Sequence, residues 1–119
     1  MKKTIFGAAL AGLVLSVSGA AVLAEDVDRN YLRKGTDTIH VFTQDGKLFC
    51  QREGDGFELC HGMEKQANGE WKGKKMKHPD MPSFMTFNGT VIIGSNQKLS
   101  IKGCAMGNSM CDQEIWDEI

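Results

Sequence analysis

From Thr38 onward, turn-forming residues punctuate the chain about every ten positions, and no stretch between them sustains a helical period. Asp45-Gly46, Gly54-Asp55-Gly56, Asn68-Gly69 and Asn88-Gly89 each separate short apolar runs. Ile39 and Val41 alternate with polar neighbours, as do Leu99 and Ile101. This spacing leaves room only for short strands. It predicts an all-β fold, a small antiparallel meander of about six to eight strands closing into a barrel or sandwich. The expected strands are 38–43, 47–52, 57–64, a short basic one from Trp71, 83–87, 90–93 and 98–102. Cys111–Trp116 is expected as a last strand or one helical turn. Residues 25–37 are polar and charged apart from Tyr31 and Leu32, and read as a loosely ordered arm before a single β domain at 38–119.

The first 24 residues read as a secretory signal peptide. Lys2 and Lys3 form a positive start, Ile5–Leu15 is apolar, and Val22-Leu23-Ala24 makes a cleavage site ahead of Glu25. A membrane anchor is the competing reading, but the apolar run is short and glycine-rich. The expected address is the bacterial periplasm, with no integral membrane segment in the mature chain. Removing 24 of the 119 residues leaves one domain's worth of chain. The mature balance, 12 basic against 15 acidic residues once Lys2 and Lys3 are gone, argues against nucleic-acid binding.

Cys50, Cys60, Cys104 and Cys111 in an oxidising compartment are expected to be disulfides. Three pairings exist. A hairpin centred on Asp55 sets Cys50 opposite Cys60, and Cys104 and Cys111 flank a glycine-containing loop, which favours those two pairs. The crossed pairings would require the hairpins to stack face to face. A Cys₄ zinc site does not suit these spacings.

Residues 76–85 read Met-Lys-His-Pro-Asp-Met-Pro-Ser-Phe-Met. Pro79 and Pro82 exclude a helix or a central strand, so Met76, His78, Met81 and Met85 cannot form an ordinary core stripe. Thioethers and imidazole together suit Cu(I), with Ag(I) a related guest, and disfavour harder ions. Where free thiolates do not persist, such donors are the available soft ligands. Strict alternation along 57–63 puts His61 beside Met63 on the face away from Cys60, which makes that pair a supporting candidate. Met106 and Met110, inside the Cys104–Cys111 loop, are a weaker one. Trp71 is either a cation–π cap for a soft ion or a core anchor. Apart from Met1, every methionine lies between residues 63 and 110.

Thr38-Ile39-His40-Val41-Phe42 with Asp45-Gly46-Lys47, and Met81-Pro82 with Met85-Thr86 and Gly89-Thr90-Val91-Ile92-Ile93, resemble small periplasmic copper-resistance proteins of the CopK type. The resemblance implies a small β-fold that binds Cu(I) through methionines, with Met81 and Met85 as ligands. The four cysteines and the segment 50–75 depart from that pattern. A more general similarity is to periplasmic β-barrel copper chaperones that use Met, His and Trp.

Enzymatic signatures are lacking: there is no His-Glu-x-x-His, no Gly-x-Ser-x-Gly, no phosphate loop and no Cys-x-x-Cys. Cys60-His61 lacks the second cysteine that covalent haem attachment needs. The expectation is a metal-binding protein that buffers or passes on copper, with a periplasmic protein as its partner. The alternative is a disulfide-stabilised secreted binding module, an inhibitor or accessory subunit. Lys72, Lys74, Lys75 and Lys77 form a basic cluster that either guards an edge strand or meets an acidic partner or lipid head groups.

Overall fold

The computed structural model describes residues 26–119, so the segment expected to be a signal peptide lies outside the described residues. Eight antiparallel strands in simple succession close into a barrel. They are β1 (Asp28–Arg33), β2 (Asp37–Gln44), β3 (Lys47–Arg52), β4 (Glu58–Lys65), β5 (Trp71–Met76), β6 (Phe87–Ile93), β7 (Lys98–Ala105) and β8 (Met110–Glu118). β1 pairs with β8 at Tyr31–Glu118 and Leu32–Asp117 and closes the sheet. No helix among the described residues is long and apolar enough to cross a membrane.

The turn chemistry behaves as the sequence predicts at three places. Asp45 and Gly46 both take positive φ, 55° and 78°, between the paired Gln44 and Lys47. This is the two-residue turn whose twist matches a hairpin. Asp55 accepts the Phe57 amide at 3.0 Å and two bonds from Arg52. Those Arg52 bonds, with the Phe57 amide, hold its carboxyl down at about 2. Asn68 accepts the Glu70 amide at 3.0 Å.

Three expectations need correction. The arm expected over 25–37 carries β1 at Asp28–Arg33, and Tyr31 is fully buried. The interior face of β1 includes the buried cation Arg33, so its apolar alternation is invisible in sequence. Asn88-Gly89 is not a turn but lies inside the continuous strand β6, which pairs with β7 from Asn88–Cys104 to Ile93–Leu99. Ser83–Phe87 is therefore not a separate strand. Lastly, alternation fails along β4. The pairings Leu48–Met63, Cys50–Cys60 and Gln51–Glu58 contain two register shifts, and Gly62 adopts φ 63°. Each bulge adds a residue and reverses the facing. Leu59, Cys60 and Met63 point inward while His61 points out.

The core gathers Trp71, Trp116, Tyr31, Ile39, Val41, Leu48, Met63, Val91 and Leu99, all essentially inaccessible to solvent. Burying each Trp removes about 200 Å² from water, an upper limit of roughly 5 kcal/mol before entropy. Trp71 is thus a core anchor. Both favoured disulfides are present, with Cα separations of 4.6 Å for Cys50–Cys60 and 4.0 Å for Cys104–Cys111. The first is buried on both sides, whereas Cys111 is exposed. Replacing Cys50 and Cys60 together with Ala should lower stability by about 3 kcal/mol or more, from loop entropy plus lost core volume. The Cys104/Cys111 double replacement should cost about 2 kcal/mol. Urea unfolding of the two variants against the oxidised parent measures both.

Candidate metal centre at the barrel mouth

The connections after β1, β3, β5 and β7 all emerge at one end of the barrel. Between the β5–β6 loop and the β7–β8 hairpin lies a cavity of about 540 Å³. Gly103 of β7 lines it. Gly73, Gly89 and Gly103 are register partners across β5, β6 and β7. A Cβ on Gly89 would fall 1.5 Å from the Met76 sulfur and 2.7 Å from the Lys102 carbonyl oxygen. The Met76 thioether therefore occupies the place of the missing side chain.

The loop 77–86 is built from two tight turns. The Met81 amide donates to the His78 carbonyl at 3.0 Å, and the Met85 amide to that of Pro82 at 3.0 Å. Pro79 sits where a preset φ favours the first turn. The Lys77 amide ties the loop to β4 through the Leu59 carbonyl at 2.9 Å.

Met76, His78, Met81 and Met85 line this one cavity, and Met106 and Met110 join them from the hairpin opposite. Five of the six methionines beyond Met1 thus share it. Met76 is buried, Met81 is 45% exposed, and Met106 and Met110 are 79% and 60% exposed. Met106 holds φ 50°, a left-handed conformation that costs a non-glycine residue about 1–2 kcal/mol. Strain of this kind concentrates at functional positions.

His61 and Met63 do not belong to the site. Met63 packs in the core under Gly73, 3.1 Å from where its Cβ would be. His61 lies on the outer wall, 2.9 Å from Glu58 and edge-on to Phe49. The β4 bulges separate them. Trp116, not Trp71, is the tryptophan of the cavity, and Phe87 lines it too. The even spacing of Trp116 from Met110, Asp112 and Glu114 along one strand was the signal available for it.

A charged network sits beside the thioethers. Arg33, 4% exposed, donates two bonds to Glu114 at 2.8 and 3.0 Å and one to Asp37 at 3.2 Å. The Trp116 indole N–H also donates to Glu114, at 2.9 Å. Burial alone would raise the Glu114 carboxyl, but these donors outweigh it and hold the group below the ordinary carboxylate value. His78 Nε2 lies 3.3 Å from Asp112 and 3.9 Å from Glu114. The Asp80 amide donates to His78 Nδ1 at 3.1 Å. Both ring nitrogens are engaged, so a metal binding His78 displaces one contact.

His78, Asp112 and Glu114 bring their ligand atoms within 4.8 Å of one another. This is a harder N/O set beside the soft one. Glu114 is already committed to Arg33 and Trp116, which leaves the thioethers as the uncommitted donors. No protein-family model, curated protein or solved structure matches the chain.

Because Glu114 titrates lower when folded, its stabilising contribution is complete above the unfolded carboxylate range. It is lost as pH falls through the folded value. Glu114→Gln should flatten that acid limb in urea melts taken from pH 7 to pH 3. It should also destabilise the protein at pH 7 by about 3 kcal/mol, near the low end for a broken buried pair because Asp37 still faces Arg33.

Proposed function

We propose that this protein binds a soft monovalent metal ion, Cu(I) or Ag(I), at the methionine-lined mouth of its barrel. The observation that carries the reading is convergence. Five thioethers and one imidazole, from segments some twenty-five residues apart in sequence, line one cavity. Neutral sulfur donors in a mostly apolar recess select a d¹⁰ monovalent ion over hard divalent ones. The CopK-type resemblance implies the same ion.

The donor arrangement favours buffering or transfer over catalysis, and we read the protein as a non-enzymatic periplasmic carrier. Met106 and Met110 are largely exposed on a hairpin, so an incoming acceptor can reach the bound ion and exchange ligands stepwise. The disulfides leave no free thiol among the cysteines to compete for it.

A second reading has its own observation. Phe84, 83% exposed, joins Met81, Met106 and Met110 in giving this end of the barrel an apolar rim, which suits a partner contact in a disulfide-stapled binding module. Leucine substitution separates the two, because it keeps apolar volume and removes the sulfur.

Titrating metal-free protein with Cu(I) against a chromophoric chelator should reveal one ion bound tighter than about 1 μM. Met76→Leu/Met81→Leu/Met85→Leu should weaken it at least about 100-fold, some 2.7 kcal/mol. Met106→Leu/Met110→Leu should weaken it about tenfold, and His61→Ala should leave it unchanged. Absence of binding at that level, or full retention in the triple variant, would leave the partner contact as the better reading.

A further inference from the structure

A second concavity, about 940 Å³, lies on the outer wall across β4 to β7. Gly62, Gly73 and Gly89 line it with bare backbone, and Lys47, Lys72, Lys74, Lys75 and Lys102 surround it. Glu64 is its one carboxylate, so five lysines stand against a single acid in a chain whose total charge is −1. Lys47 pairs with Glu64 at 3.0 Å, and Lys72 reaches Glu70 at 3.7 Å. Lys74, Lys75 and Lys102 are exposed and make no ion pair among the described residues.

Edge protection can concern only the stretch of β5 past its two β4 pairs. It does not explain Lys102, which is paired with Thr90 on one flank and Gln113 on the other. Grouped like charges repel one another, so a compensating partner is the simplest reason to keep them together. The concavity arises where the β4–β5 ladder opens. Its bridging pairs are Glu64–Lys72 and Lys65–Trp71, and contact resumes at the bond from the Lys77 amide to Leu59.

We propose that this groove docks an extended, acidic polypeptide segment of a partner protein. Lys72 and Lys102 lie in register on either side of Thr90, roughly 10 Å apart at the backbone. Lysines therefore stand on both banks of a trough one strand wide. An extended segment sends alternate side chains to opposite sides, so its carboxylates reach both banks. A flat lipid surface would touch the rims and leave the floor unused. Asn88 and Asn108 also line the groove and can bond a main chain, while the Thr90 hydroxyl accepts from Lys72 at 3.1 Å.

The groove adjoins the mouth. Cys104 and Asn108 border it, and they belong to the same β7–β8 hairpin that carries Met106 and Met110. A segment seated there holds its parent protein beside the thioethers. That consequence, a metal-exchange partner, rests on the proposed metal reading, while the docking itself does not.

The test uses metal-free mature protein and a fluorescein-labelled deca-glutamate peptide, read by anisotropy at low salt and at about 300 mM salt. Saturable binding that weakens with salt is expected. Lys74→Gln/Lys102→Gln should weaken it at least about fivefold. Lys34→Gln/Lys98→Gln, with the same charge change elsewhere, should alter it less than about 1.5-fold. Amide shifts in the wild type should cluster at Gly73, Thr90 and Lys102, and equal melting temperatures would show both variants folded. Equal losses in the two variants, no saturation, or tighter lysine-dependent binding to phosphatidylglycerol vesicles would overturn the proposal. The Cu(I) titration of Lys74→Gln/Lys102→Gln should match the parent, so failure of docking and failure of metal binding are read separately.

Discussion

Arg33 of the first strand and Glu114 of the last exchange two hydrogen bonds inside the barrel, and both the closure and the site depend on that contact. The direct β1–β8 ladder holds only two register pairs. A buried, bidentate ion pair supplements it from within and adds specificity, because Arg33 without Glu114 would be a buried cation with only Asp37 for a partner. The pair also lies between two unlike regions. The aromatic and aliphatic core is packed on one side of it. On the other side the long β5–β6 connection and the β7–β8 hairpin border the open mouth.

That division explains why the methionines gather where they do. A closed barrel of eight strands has an interior just wide enough for side chains to fill. Gly73 and Gly89 give up side-chain space that Met63 and Met76 take. Gly103 borders the cavity that Met76, Met81, Met85, Met106 and Met110 line. The Cys104–Cys111 bridge clamps the base of the hairpin that carries two of these sulfurs. A site of flexible thioethers thus sits on elements held by turns, a disulfide and an ion pair.

Closure also changes the meaning of surface charge. On an open sheet, a lysine-rich strand is an ordinary defence against edge pairing. In the closed barrel only the stretch of β5 past its two β4 pairs keeps an open flank, and Lys102, paired on both flanks, calls for a different explanation. The β4 bulges act on both walls at once: they direct Met63 into the core and open the groove on which His61 and the lysines border.

Much of the local structure was legible in the chain. Asp45-Gly46 and Asn68-Gly69 encode turns because few other residues tolerate their backbone angles. The spacing of Cys50 and Cys60 about Asp55 encodes a bridged hairpin, and the two prolines keep residues 77–86 out of regular structure. The β1 strand is not legible because half of its inward face is a charge satisfied 81 residues away. Gly89 reads as a turn because a glycine that makes room and a glycine that turns look alike in one dimension. The separation of His61 from Met63 is hidden because a bulge shifts facing without leaving a distinctive residue pattern. Sequence alone determined most of the strands and turns and the supply of soft donors, all governed by interactions within a few residues. Which donors meet was decided by the tertiary structure, since register, bulges and barrel closure depend on contacts between strands distant along the chain.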